Sequence, residues 1–368
     1  MKTPDDICRM VPTIKVVSAG CNMRCHYCYY RKCDQGKIRI MSDDVLRAVI
    51  TKTVDFSESE PVVIIWHGGE PLLAGLEFYE KAVAIEREVA HKKKVENHIQ
   101  TNGTLVSKKW ADFFSQNDFR VGISIDGPPV VHNHNRVFRN GRGSYNATVR
   151  GLRYLQAAGL QPGVISLVSQ ISLGKEKEIL QSMLDLGIKR ILPKPCYEID
   201  KKSGTLANYS VNPQSFTDFM VNLMNIWLEK DDPEISIRNL EQIILGLVGG
   251  SPSLCEFSGR CWLFPCVEFN GQVSACDSFP VRQYPYGNIL HQTWEELFSS
   301  SGFKNFLSDI DQSRTGCKNC QWKRSCQGGC LRYSYSAETD QWHKNVFCQS
   351  KIQLFQIISD TIRKIETG

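Results

Sequence analysis

The sequence predicts an α/β fold: a partial (β/α)6 barrel followed by a cysteine-rich C-terminal domain. Two observations carry this. Between residues 12 and 195, short runs rich in β-branched residues alternate six times with amphipathic stretches, the pattern of a parallel sheet covered by helices. The first four of these runs each lead into an unusual polar or cysteine-bearing segment. In a barrel of this kind those segments share the rim formed by the C-terminal ends of the strands, where such barrels place their chemistry. Six units are too few for a closed eight-fold barrel and fit an open one.

The strands are expected at Thr13–Ser18, Val62–Trp66, Asn97–Gln100, Val121–Ile125, Gly163–Val168 and Ile188–Leu192. Ser42 caps the first helix, with Asp43 and Asp44 in its first turn and Val45, Leu46, Val49 and Ile50 on one face. Glu77–Val89, Ser107–Phe114, Tyr145–Ala157 and Lys175–Leu186 read likewise. From Val211 to about Gly250 the pattern is helical, over Phe216–Leu228 and Leu240–Val248. Gly249-Gly250-Ser251-Pro252 then marks a boundary. Phe264–Phe269 and Gln272–Ala275 flank Asn270-Gly271, the signal of a hairpin with a type I′ turn. The expected domains are a core barrel over 1–234, a helical linker over 235–254, a cysteine domain over 255–348 and a closing helix over 349–368.

Composition excludes several classes. The net charge of +5 comes with no basic run or stripe, so nucleic acid is not expected as a partner. No apolar stretch approaches the ~20 residues of a membrane span, and Met1 to Met10 has no signal-peptide core. The expected setting is a reducing cytoplasm. The 20 residues before Cys21 are too few for a fused peptide-recognition domain. Fifteen cysteines, without an export signal, point to metal or catalysis rather than disulfides.

Cys21, Cys25 and Cys28 have the spacing C-x3-C-x2-C in Gly20-Cys21-Asn22-Met23-Arg24-Cys25-His26-Tyr27-Cys28-Tyr29-Tyr30. Three thiolates on one short loop suit a four-iron cluster and leave one iron open to a small molecule. A zinc knuckle is the plainer reading; it would want a fourth Cys or His, and His26 lies between the other ligands. The spacing resembles the signature of the radical S-adenosylmethionine (SAM) superfamily. There the open iron chelates SAM, and an electron splits the sulfonium to give a 5′-deoxyadenosyl radical. The C-terminal set Cys255, Cys261, Cys276, Cys317, Cys320, Cys326, Cys330 and Cys348 resembles the SPASM extension of radical enzymes that modify peptides and proteins. Taken alone, it could be two zinc ribbons. The resemblance implies three [4Fe–4S] clusters, with Cys255, Cys261, Cys276 and Cys330 on one auxiliary cluster and Cys317, Cys320, Cys326 and Cys348 on the other. Cys8, Cys33, Cys196 and Cys266 remain as free thiols.

The same resemblance implies the contacts to SAM. Gly68, Gly69 and Glu70 match a Gly-Gly-Glu-Pro segment that accepts its ammonium group. Ser124 matches a cofactor-binding serine, Arg136 an arginine for the carboxylate, and Tyr27 and Leu192 positions beside the adenine. Asp277, next to Cys276, matches the proton acceptor of sulfatase-maturating enzymes. Tyr30, His67, Gln100 and Arg150 align with positions that meet a substrate peptide. Each of these also has an ordinary structural explanation: a tight turn, a surface arginine, a packed side chain or a hairpin-end aspartate.

The chain is thus expected to be a radical SAM oxidoreductase acting on a peptide or protein side chain, fed by a one-electron donor such as flavodoxin or ferredoxin. A ribosomal-peptide maturase forming a side-chain cross-link is slightly favoured, because Trp66-His67 and Leu72 flank the Gly-Gly-Glu-Pro segment where sulfatase-maturating enzymes usually show Phe-Gln and Thr. The alternative is an anaerobic sulfatase-maturating enzyme that oxidises Cys or Ser to formylglycine. A non-catalytic iron–sulfur electron carrier is the reading from another class.

Overall fold

A computed structural model describes residues 4–32, 38–90, 92–200, 202–279, 281–336 and 341–367. Cys33 lies outside them. The βα alternation is present in the expected order. It runs β1 (Thr13–Lys15), α1 (Asp43–Phe56), β2 (Val62–His67), α2 (Leu76–Val89), β3 (Val95–Thr101), α3 (Lys108–Gln116), β4 (Arg120–Ser124), α4 (Pro129–Asn135), α5 (Tyr145–Ala157), β5 (Gly163–Val168), α6 (Glu176–Asp185) and β6 (Arg190–Pro195). Then come α7 (Pro213–Lys230), β7 (Ser236–Ile237), α8 (Arg238–Leu247), α9 (Cys255–Ser258), β8 (Cys266–Val267), β9 (Gln272–Ser274), β10 (Pro285–Asn288), α10 (Trp294–Leu297), α11 (Ser301–Ser313), α12 (Lys323–Cys326), a short two-stranded pair (Tyr335–Ser336 and Gln341–Trp342) and α13 (Cys348–Thr367).

The chain divides into two compact units, each assembled from separate stretches. The first comprises 1–124, 136–162 and 261–308. Its strands lie in the order β10-β9-β8-β1-β2-β3-β4. Strands β1 to β4 are parallel, with Ile14 beside Trp66 and Ile65 beside His98. Strand β8 joins β1 in parallel, Thr13 beside Cys266. The second unit comprises 125–135, 163–260 and 309–368 and holds β5-β6-β7, again parallel.

Alternation along the strands sorts side chains between two faces. On β2, Val62, Ile64 and Trp66 are fully buried towards the helices, while His67 faces the other way and is half-buried. Trp66 packs edge-on against Tyr79 and donates to Asn97 Oδ1 at 2.6 Å. Helix α1 starts as expected, with the Ser42 hydroxyl accepting from the Val45 amide, and buries Val45, Leu46, Val49, Ile50 and Val54. Burying each such side chain contributes roughly 1.5–3 kcal/mol. Among the described residues no helix is long and apolar enough to cross a membrane.

The hairpin differs from expectation in its turn. The two-residue closure expected around Asn270-Gly271 is replaced by a three-residue loop. The Glu268 amide donates to the Gln272 carbonyl, and the Gly271 amide to the Glu268 carbonyl. Of the two central residues only Gly271 has a positive φ, +82°. A type I′ turn needs both residues there, so this is the three-residue hairpin with a left-handed glycine at its end. The Asn270 side chain instead accepts from the Gln272 amide at 3.2 Å, a local bond that competes with the left-handed conformation.

Candidate active site

The cysteine loop follows β1 and is fixed by a backbone bond and by neighbouring side chains. The Arg24 amide donates to the Val137 carbonyl, and Arg139 donates twice to the Cys21 carbonyl, at 3.1 and 2.9 Å. Asn102 Nδ2 donates to Asn22 Oδ1 at 2.9 Å and lies 3.7 Å from Cys21 Sγ. Burial, then Glu70, pushes the Cys21 thiol up to about 12, so it becomes a thiolate only with a metal beside it. His26 is exposed.

The Gly68-Gly69 turn lies directly on this loop. Both glycines have positive φ, +80° and +51°, and a Cβ on Gly69 would sit 2.0 Å from the Gly20 carbonyl oxygen. The Glu70 amide donates to that same oxygen at 2.8 Å. The Glu70 carboxylate is fully buried and accepts from Thr101 Oγ1 at 2.7 Å and from the amides of Asn102 and Leu72 at 2.8 and 3.1 Å. Burial outweighs these three donors and pushes its carboxyl up to about 7. A cationic ammonium beside it would restore the charge.

The other expected cofactor contacts in the first unit lie at strand ends or on the adjoining loop. Ser124 ends β4 and accepts from Gln100 Nε2 at 3.1 Å. The Arg136 guanidinium lies 5.5 Å from the centre of the Tyr27 ring, and both residues are buried. Leu192 belongs to the second unit, on β6 beside Ile165. Arg150 is exposed on α5.

Asp277 is the focus of a second cluster of side chains. Its Oδ2 accepts from the hydroxyls of Tyr29 at 2.8 Å and Tyr30 at 3.1 Å. The Tyr30 hydroxyl also lies 3.1 Å from His67 Nδ1. Lys15 reaches over the Tyr30 ring and pairs with Glu268 at 2.8 Å. Burial favours the neutral acid, but His67, the Lys15 ammonium and the two phenols outweigh it and hold the Asp277 carboxyl below its usual range. Burial holds His67 below the usual histidine range. Lys15 and Tyr29 are site residues that the motifs do not single out; strand alternation places Lys15 on the same face as the site, which was the available signal.

Trp66 and Leu72 are core residues, 0% and 4% exposed. Two of the three differences that favoured a cross-linking maturase therefore concern packing. Only His67 faces the site.

In the second unit Cys317, Cys320, Cys326 and Cys348 line a cavity of about 370 Å³. Trp322 Nε1 and Lys351 Nζ, from residues in its wall, are buried without a hydrogen-bond partner. Among the described residues no three His, Cys, Asp or Glu side chains converge as a single ion requires. Four thiols around a void of this size, with buried N–H donors on lining residues, fit a polynuclear anionic cluster. No described cysteine is in a disulfide. Cys196 and Cys266 are buried, and Cys8 donates to Glu58 at 3.1 Å.

Comparison with known proteins agrees with this chemistry. Residues 16–187 match the radical SAM superfamily and 255–321 an iron–sulfur cluster-binding domain, SPASM. A cysteine-type anaerobic sulfatase-maturating enzyme of Clostridium perfringens (strain 13 / Type A) is 31% identical, over 93% of this chain and 94% of its own. A serine-type enzyme of Bacteroides thetaiotaomicron is 29% identical, over 94% and 88%. The solved structure of native anSMEcpe with bound AdoMet and Cp18Cys peptide matches with a TM-score of 0.88 at 30% identity, covering 96% of this chain and 99% of the other. Streptococcus suis SuiB bound to precursor peptide SuiA shares the fold at 12% identity, with a TM-score of 0.68, over 92% of this chain and 76% of its own. These relatives favour the sulfatase-maturating alternative over the cross-linking maturase. The chain belongs to the family of anaerobic sulfatase-maturating enzymes, and is a radical SAM oxidoreductase with a partial barrel, a SPASM domain, [4Fe–4S] clusters and SAM as cofactor.

Proposed function

We propose that this enzyme oxidises a Cys or Ser side chain of a sulfatase to formylglycine. The observation that supports this reading most is the Asp277 carboxylate, half-buried, ionised and held by two phenols in a chain that matches sulfatase-maturating enzymes over nearly its whole length. Bound at Cys21, Cys25 and Cys28, a cluster with SAM would supply a carbon radical that takes a hydrogen atom from the substrate Cβ. Gly68, Gly69, Glu70, Ser124, Arg136, Tyr27 and Leu192 would hold SAM. Asp277 accepts the thiol or hydroxyl proton as general base. Tyr29 and Tyr30 fix its orientation. Tyr30, His67, Gln100 and Arg150 are the proposed substrate contacts. One electron remains after loss of a hydrogen atom and a proton, and the auxiliary clusters are its proposed acceptor; Ser then gives the aldehyde directly, while Cys gives a thioaldehyde that water hydrolyses with release of hydrogen sulfide. A flavodoxin or ferredoxin is the proposed external donor.

The test is anaerobic incubation of reconstituted enzyme with SAM, dithionite and sulfatase-derived peptides bearing Cys or Ser. An aldehyde together with 5′-deoxyadenosine is expected. A side-chain cross-link without aldehyde would return the maturase reading, and no 5′-deoxyadenosine at all would favour an electron carrier.

A further inference from the structure

Lys351, in the wall of the four-cysteine cavity, belongs to a buried cluster of charges. Glu256 lies between two lysines: Lys194 Nζ is 2.6 Å from Oε1 and Lys351 Nζ 3.8 Å from Oε2. The carboxylate is 7% exposed and the Lys351 side chain 14%. Two ammonium groups and one carboxylate leave one buried positive charge in surplus.

That surplus lies at Lys351. Its Nζ is buried, has no hydrogen-bond partner, and belongs to a residue lining the cavity. It also rests on the loop joining Cys326 to Cys330: a Cβ on Gly329 would fall 2.6 Å from Nζ. The two adjacent glycines of this loop, both at positive φ, let the ammonium approach. An ammonium with no hydrogen bond, 3.8 Å from a carboxylate that Lys194 already holds at 2.6 Å, is only partly compensated, and a buried charge left so is costly. An anion in the cavity would remove the cost.

We propose that Lys351 is an electrostatic positioning residue for the auxiliary cluster held by Cys317, Cys320, Cys326 and Cys348, raising that cluster's reduction potential. The inference rests on the cluster assignment above. Each reduction adds one electron from the product radical to an already anionic centre. A fixed ammonium stabilises the reduced form more than the oxidised form, and net charge is one of the determinants of cluster potential. Glu256 acts in the opposite sense by offsetting the ammonium.

The test is potentiometric titration of the reconstituted full-length enzyme, followed by electron paramagnetic resonance, with iron and sulfide counted in every sample. Lys351→Met should lower the reduction equilibrium constant of one auxiliary cluster about tenfold, about 59 mV for one electron, and Lys351→Arg should restore it. Glu256→Gln should shift the same cluster the opposite way. Unchanged midpoints, or shifts of the same sign in Lys351→Met and Glu256→Gln, overturn the proposal. If Lys351→Met does not hold the cluster, Glu256→Gln decides alone: an upward shift supports the proposal and no shift overturns it. Wild-type enzyme with fewer than three clusters overturns the cluster assignment itself, and the iron count reads that separately.

Discussion

The loop of Cys21, Cys25 and Cys28 and the cavity of Cys317, Cys320, Cys326 and Cys348 use the same ligand chemistry in opposite surroundings. Asn102, the Val137 carbonyl and the Arg139 guanidinium hold the first loop, and the buried carboxyl of Glu70 lies near enough to raise the Cys21 thiol. A buried ammonium and a buried indole N–H belong to residues lining the second. On the proposed roles, an acidic neighbour would suit the centre that gives an electron to a sulfonium, and a basic one the centre that receives an electron. Three ligands leave room for chemistry and four leave room only for transfer.

The largest effects should separate these two tasks. Cys21→Ala is expected to abolish 5′-deoxyadenosine formation, whereas Cys317→Ala should keep it and lose the aldehyde; chromatography of both products reads the difference. Equal losses in the two variants would erase the contrast. Asp277→Asn should lower aldehyde formation on the order of 100-fold while leaving 5′-deoxyadenosine within a few-fold, measured in the same assay. Gly69→Ala places a Cβ 2.0 Å from the Gly20 oxygen, so equilibrium dialysis should show SAM binding at least about tenfold weaker. Retained binding would mean the turn can move away from the loop.

The smallest effect is a control that touches neither centre. Glu86 is buried beneath the helices, bonded to Asn97 at 2.8 Å, with Oε1 unpartnered. Burial pushes its carboxyl up to about 7 against the help of Asn97. The native state therefore binds this proton more tightly than the unfolded chain. The resulting stabilisation is full below pH 4.5 and is lost as pH rises through 7. Glu86→Gln should flatten that decline, by up to roughly 3 kcal/mol, in urea unfolding at several pH values. An unaltered slope would mean the group is ionised throughout.

Much of this was legible in the sequence because its signals are local. Strand β5 and helix α5 have the expected bounds, Gly163–Val168 and Tyr145–Ala157, since β-branched runs and a 3.6-residue apolar period need no distant partner. The turn at Asn270-Gly271 misled because an Asn side chain can bond its own backbone instead of entering the left-handed region. Trp66 and Leu72 misled because their position in the motif hid the face on which they lie. Lys15, Tyr29 and Lys351 became visible only through partners far along the chain: Glu268, Asp277 and Glu256.

The pairing of Thr13 with Cys266 carries a consequence for biosynthesis. Strand β1 acquires its outer neighbour only after some two hundred and fifty further residues have been made. Until then its edge is open, a liability during synthesis. The hairpin that closes it also delivers Asp277 to Tyr29 and Tyr30. Tyr29 and Tyr30 thus wait for their shared carboxylate until the chain has been made as far as Asp277.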